Sequence, residues 1–152
     1  MSSLENPVVI EITRGPMFES IHRGAYAVVN VQQDVISSEG DIDRPIYPRS
    51  AVKPLQALAL VETGAADRWK LSDSELALAC ASHSAEPRHV ETIVKWLARS
   101  GLTERDLECG PHPPSSEQAR NELIRQNVKW RRIHHNCSGK HTGFLTTAVH
   151  LD

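Results

Sequence analysis

The chain has 152 residues and a formal net charge of −2, with 39% hydrophobic and 24% charged residues. That length suffices for one modest core, and the near-neutral balance gives no electrostatic footprint for nucleic acid. No apolar run approaches the roughly 20 residues of a membrane span, and the opening MSSLENPVVIEITRG lacks the basic start and long apolar stretch of a secretory leader.

The first third reads as β. Val8-Val9-Ile10 and Ala25 to Val31 are short runs rich in β-branched residues, and Asp34 to Ser37 follows Gln32-Gln33 closely. A hairpin or meander is expected there, closing at Ser38-Glu39-Gly40, with residues 41–48 as a proline-containing loop. After Pro48 the pattern turns helical. Residues 50–62 are apolar on almost every side, which predicts a buried central helix ended by Gly64. Pro54 falls in its first turn, where no intrahelical donor is lost.

Ser72-x-x-Glu75 forms a capping box for a helix to about Ala81. Val90, Ile93, Val94 and Leu97 make an apolar stripe on a helix over 86–100, stopped by Gly101. Two shorter helices are expected over 103–107 and 116–126, and a last one from Ser138 to the end. Strands first and helices afterwards place the chain in the α/β (α+β) class, with antiparallel N-terminal strands followed by a helical region. The final helix has no strand after it, so the sequence reads as part of a larger domain.

Two stretches carry chemistry. In Ser50-Ala51-Val52-Lys53, residues three apart on a helix share a face. The serine would sit where backbone N–H groups favour developing negative charge, and the lysine one turn on could serve as its base. A lysine in water titrates near ~10.4, so such a base needs burial or neighbouring cations, for which Arg49 is placed. The bland alternative is a capped helix with a solvated lysine. Farther on, Ser82-His83-Ser84 ends a helix. A second serine there could relay the proton, as in enzymes of the β-lactamase type.

The other stretch is His134-His135-Asn136-Cys137-Ser138-Gly139-Lys140-His141. Cys137 at a helix start beside Lys140 and His141 is suited to thiolate chemistry. It could be a zinc ligand, a nucleophile with His135 or His141 as base, or a residue of an ordinary capped helix; spacing does not separate these. Cys80 reads as core, Cys109 is ambiguous, and His22, His89 and His150 read as surface. Three scattered cysteines form no disulfide framework, which suits a reducing, cytoplasmic compartment.

Taken together, YPRSAVKPLQALAL, LALACASHSAEPRH, CGPHPP and NCSGKHTG occur in an order that closely resembles the asparaginase II family of L-asparaginases, along essentially the whole chain. The resemblance implies part of a serine β-lactamase/glutaminase-like fold, residues 1–152 being the N-terminal portion of one asparaginase II domain whose C-terminal half is absent. It implies hydrolysis of L-asparagine to L-aspartate and ammonia. Ser50 would be the nucleophile, Lys53 its base, Ser82 part of the proton relay, and Arg49 and His141 substrate-binding residues. Cys137 and Lys140 would be two of three protein ligands to zinc, the third lying in the absent half. The partner is then a small molecule, with neither nucleic acid nor membrane expected and a homo-oligomer allowed by open strand edges. Two other readings stay open. One is a penicillin-binding or β-lactamase-like acyl-enzyme, although Ser-Asp-Asn is lacking; the other is a non-enzymatic zinc-binding remnant.

Overall fold

The computed structural model describes residues 6–152; residues 1–5, the start of the segment read above for a leader, lie outside it. The chain divides after Tyr47 into two compact units, each described by itself.

The first unit holds two antiparallel hairpins. Strands β1 (Val8–Arg14) and β2 (Met17–Arg23) pair across Gly15-Pro16, with Glu11 opposite Ile21 and Ile12 opposite Ser20. Gly15 has φ 60°, a backbone that glycine adopts without a Cβ penalty. Strands β3 (Tyr26–Val29) and β4 (Val35–Glu39) form the second hairpin, the one expected from the sequence. Its loop is built on Asn30, whose side-chain oxygen accepts the N–H groups of Gln32 and Asp34 at 2.9 and 2.8 Å. This is the asparagine-centred turn that makes such residues loop formers. Strand β2 was not anticipated. Met17-Phe18-Glu19-Ser20-Ile21-His22-Arg23 shows no clean two-residue alternation, and pairing with β1 fixes it instead.

The second unit is helical: α1 (Lys53–Glu62), α2 (Ala65–Arg68), α3 (Asp73–Cys80), α4 (Pro87–Arg99), α5 (Glu117–Arg125) and α6 (Ser138–Leu151). The predicted punctuation is present. Gly64 is left-handed at φ 80°, Gly101 at φ 72°, and the Ser72–Glu75 capping box is closed on both sides. Two expectations are corrected. Residues 103–107 form only a 3-10 turn at Glu104–Asp106, the Thr103 and Asp106 side chains closing it on itself. And α1 is not buried all round. Leu60 is buried, but Leu55 is 66% exposed and Leu58 and Val61 are also exposed, because α1 packs on α3 and α6 through one face.

Helices α3 and α4 each feed two apolar clusters. Leu78, Ile93 and Leu97 pack with Leu107, Cys109 and Ile133, while Ala79 and Trp96 pack with Leu60, Ala65 and Ala66. Cys80, expected in the core, belongs to neither cluster and is half-buried. Helix α6 closes on α3 through Gly139 and Gly143. A Cβ on Gly139 would lie 2.5 Å from the Leu78 carbonyl oxygen, and one on Gly143 would touch Ala79, Leu60 and Trp96. That close approach sets the start of α6 beside the end of α3 and the start of α1. No helix among the described residues is long and apolar enough to cross a membrane.

Candidate active site

Ser50 and Lys53 are placed by a change of helix type. Arg49–Val52 is a 3-10 turn that runs into α1 at Lys53, so the serine precedes the α-helix by one turn instead of capping it. In a 3-10 turn residues i and i+3 eclipse, which keeps both side chains on one face. Arg49, just before the serine, has φ 53°. A left-handed residue with a Cβ costs of order 1–3 kcal/mol and persists only where its surroundings hold it.

Lys53 is 3% exposed, whereas Ser50 and Ser82 are open to solvent. Its Nζ donates to the Ala81 carbonyl and to Ser82 Oγ, both at 2.7 Å. Ser82 Oγ in turn lies 2.8 Å from Ser50 Oγ. The three predicted residues therefore form one chain, Ser50–Ser82–Lys53, with Ser82 between the other two.

Ser82 sits on the segment that leaves α3, and that segment is tied down at almost every residue. The His83 N–H donates to the Asn136 carbonyl, and the Ser116 N–H donates to the Ser84 carbonyl. Ser84 Oγ donates to Glu86 Oε1 at 2.8 Å, which uses this hydroxyl outside the relay. His83 is the central strut. Its Nδ1 accepts the Ala85 N–H at 3.1 Å, so Nε2 carries the proton and donates to Ser138 Oγ at 2.8 Å. Ser138 Oγ donates onward to the Ile133 carbonyl. Both ring nitrogens are satisfied only in the neutral imidazole. Burial, then the positive charge nearby, lowers the His83 pKa to about 4. Sequence reading passed over this residue; its position between two serines was the available signal.

The start of α6 completes the site. Arg49, Ser50, Lys53, Gln56, Cys137 and Lys140 line a cleft of about 220 Å³, with Val52 as its apolar wall. His141 is half-buried next to Lys140, and burial followed by the Lys140 charge lowers its pKa. Its ring packs edge-on against Phe144, with centroids 6.2 Å apart, and it does not line the cleft. His135 is turned by its own turn, its Nδ1 accepting the Cys137 N–H at 3.0 Å. His89 and His150, expected on the surface, are half-buried and bonded, to the Glu86 N–H and to the Thr63 carbonyl.

Cys137 and Lys140 give two donors on one wall of the cleft. Among the described residues no group of three His, Cys, Asp or Glu side chains is placed to hold a metal ion. A tetrahedral zinc centre needs more donors than this pair supplies, so these residues alone do not make one.

The arrangement offers groups suited to acyl chemistry: a solvent-facing hydroxyl, a second hydroxyl bonded to it, a buried amine, and cations along the same cleft. A search of curated proteins returns no match. The family model for L-asparaginase II matches residues 10–152.

Proposed function

Since the chain belongs to the L-asparaginase II family, whose members are hydrolases of amides acting on small molecules, we propose that it hydrolyses L-asparagine to L-aspartate and ammonia through Ser50. The observation that carries this reading is the hydrogen-bonded chain Ser50–Ser82–Lys53.

In the proposed mechanism, Ser50 attacks the side-chain amide carbon. Its proton passes to Ser82 Oγ while the Ser82 proton passes to an uncharged Lys53 amine. In that uncharged state the amine keeps an N–H on the Ala81 carbonyl and accepts the Ser82 hydroxyl proton, reversing the hydrogen bond it otherwise donates to Ser82. The carbonyl oxygen gains negative charge near the Ser50 N–H, Arg49 and Lys140. The relay then runs backwards, protonating the departing ammonia and leaving a β-aspartyl ester on Ser50. Water attacks that ester through the same relay and releases L-aspartate. Arg49 is assigned to the substrate carboxylate, and His141, set behind Lys140, to positioning that wall.

Zinc, as the resemblance implies, would take Cys137 Sγ and Lys140 Nζ as an uncharged amine, draw its other donors from elsewhere, and then supply the positive charge that Lys140 gives in its absence. It would act as a positively charged anchor near the carbonyl. The Ser50–Ser82–Lys53 chemistry runs without it. We place the protein in a reducing compartment, where Cys137 stays a thiol.

The test is ammonia release from L-asparagine, measured for the wild type and for Ser50→Ala. The mutant should lose turnover by about 10³-fold or more. Equal turnover by both would remove Ser50 from the reaction. Covalent retention of a fluorescent penicillin on Ser50, with no ammonia released, would favour the acyl-enzyme reading instead.

A further inference from the structure

The cleft poses an electrostatic problem for an amino-acid substrate. Two of its lining groups, Arg49 and Lys140, are cations, and among the described residues no carboxylate lines it. These groups suit the α-carboxylate of asparagine, but they repel its α-ammonium group. Of the other lining side chains, Val52 has no polar atom and the Cys137 sulfur is a weak acceptor. Ser50 Oγ is engaged with Ser82. Among the described residues that line the cleft, one side chain remains with a strong acceptor, the amide of Gln56.

Gln56 is in α1, three residues beyond Lys53 as Lys53 is three beyond Ser50, so all three project on one side of the helical run. It is half-buried, and among the described residues its amide makes no hydrogen bond within the protein. A polar group held at a cleft wall without a protein partner is available to a ligand.

We propose that Gln56 is the residue that recognises the substrate's α-amino group, Oε1 accepting a hydrogen bond from the ammonium while Arg49 or Lys140 holds the carboxylate. The inference rests on the reading of this cleft as the amidase site. It makes Gln56 the determinant that separates an α-amino-acid amide from the same amide without the amino group. Because this contact is equally present in ground and transition states, its loss acts on KM and leaves kcat nearly unchanged.

The experiment compares L-asparagine with succinamate, which lacks only the α-amino group, in the wild type, Gln56→Leu and Gln56→Glu. Expected is a rise of about 10- to 100-fold in KM for L-asparagine in Gln56→Leu, the range for losing a hydrogen bond to a charged group. Succinamate kinetics should be unchanged. Gln56→Glu should restore or tighten L-asparagine, since a carboxylate accepts an ammonium better than an amide does. Equal losses for both substrates, or none for either, would overturn the proposal.

Calorimetric binding of L-aspartate against succinate separates this test from the amidase reading. A wild type that turns over neither amide, yet prefers L-aspartate in a Gln56-dependent manner, upholds Gln56 and overturns the hydrolase. Absence of any such preference overturns Gln56 whatever the turnover.

Discussion

At the level of single residues, the site works by dividing labour between exposed and buried groups. Ser50 and Ser82 face solvent, while Lys53 lies beneath them with its amino head between the Ala81 carbonyl and Ser82. Removing the middle member should break the relay without disturbing the fold, because Ser82 is exposed. Ser82→Ala should therefore lower kcat by about 10²- to 10⁴-fold, the range for losing a positioned acid–base group, with an unchanged melting temperature; steady-state kinetics and calorimetry check both parts. His83 behaves differently, as a neutral strut. Its pKa is about 4 in the folded chain and 6.5 when unperturbed, so the unfolded state binds the extra proton between these values. Its stabilisation is whole above pH 6.5 and is lost as pH falls toward 4. The lowered pKa values of His134 and His141, each set first by burial, act in the same direction. Urea midpoints should drop between pH 7.5 and pH 4.5, and His83→Gln should flatten part of that slope.

At the level of elements, the decisive contact is the close packing of α6 on α3. Gly139 has the Leu78 carbonyl where a Cβ would be, and that oxygen belongs to backbone that cannot swing aside. Gly139→Ala should cost about 1–3 kcal/mol by overpacking, read as a lowered urea midpoint. It should also lower activity, since Lys140 and Cys137 ride on the same turn. Ser72→Ala, by contrast, should cost about 1 kcal/mol through the lost cap and leave activity alone, because α3 delivers Ser82 from its opposite end.

The punctuation of these helices was legible in the sequence: Gly64, Gly101 and the Ser72–Glu75 box each act locally, through backbone geometry or a neighbour three residues away. The shared face of Ser50 and Lys53 also followed from spacing, but the two are joined only through Ser82 and not directly. Other features depended on contacts distant in sequence. Ser82 meets Ser50 across 32 residues, and His83 reaches Ser138 across 55. Apolar residues on every side of α1 suggested full burial, yet periodicity reports a helix and not how many of its faces are covered. Gln56 carried no signal until the cleft was seen.

For the whole molecule, the two units differ in how their surfaces are used. The helical unit has buried clusters that hold α3, α4 and α6 together. None of the residues 6–47 is buried, and each hairpin consists of only two strands. Isolated hairpins of that size are marginal in water. Amide exchange of β1 to β4 should accordingly run well ahead of α3, α4 and α6, in which the slowest amides should be found; exchange mass spectrometry resolves this. The residues of the candidate site all belong to the helical unit.

In the proposed reaction Ser50, and not Cys137, attacks the substrate, although both side chains line the same cleft. The most direct measurement treats the protein with a diazoketone analogue of L-asparagine and maps the covalent adduct by peptide mass spectrometry. The adduct is expected on Ser50, disappearing in Ser50→Ala and persisting in Cys137→Ser. An adduct on Cys137, or one that survives Ser50→Ala, would contradict the proposal.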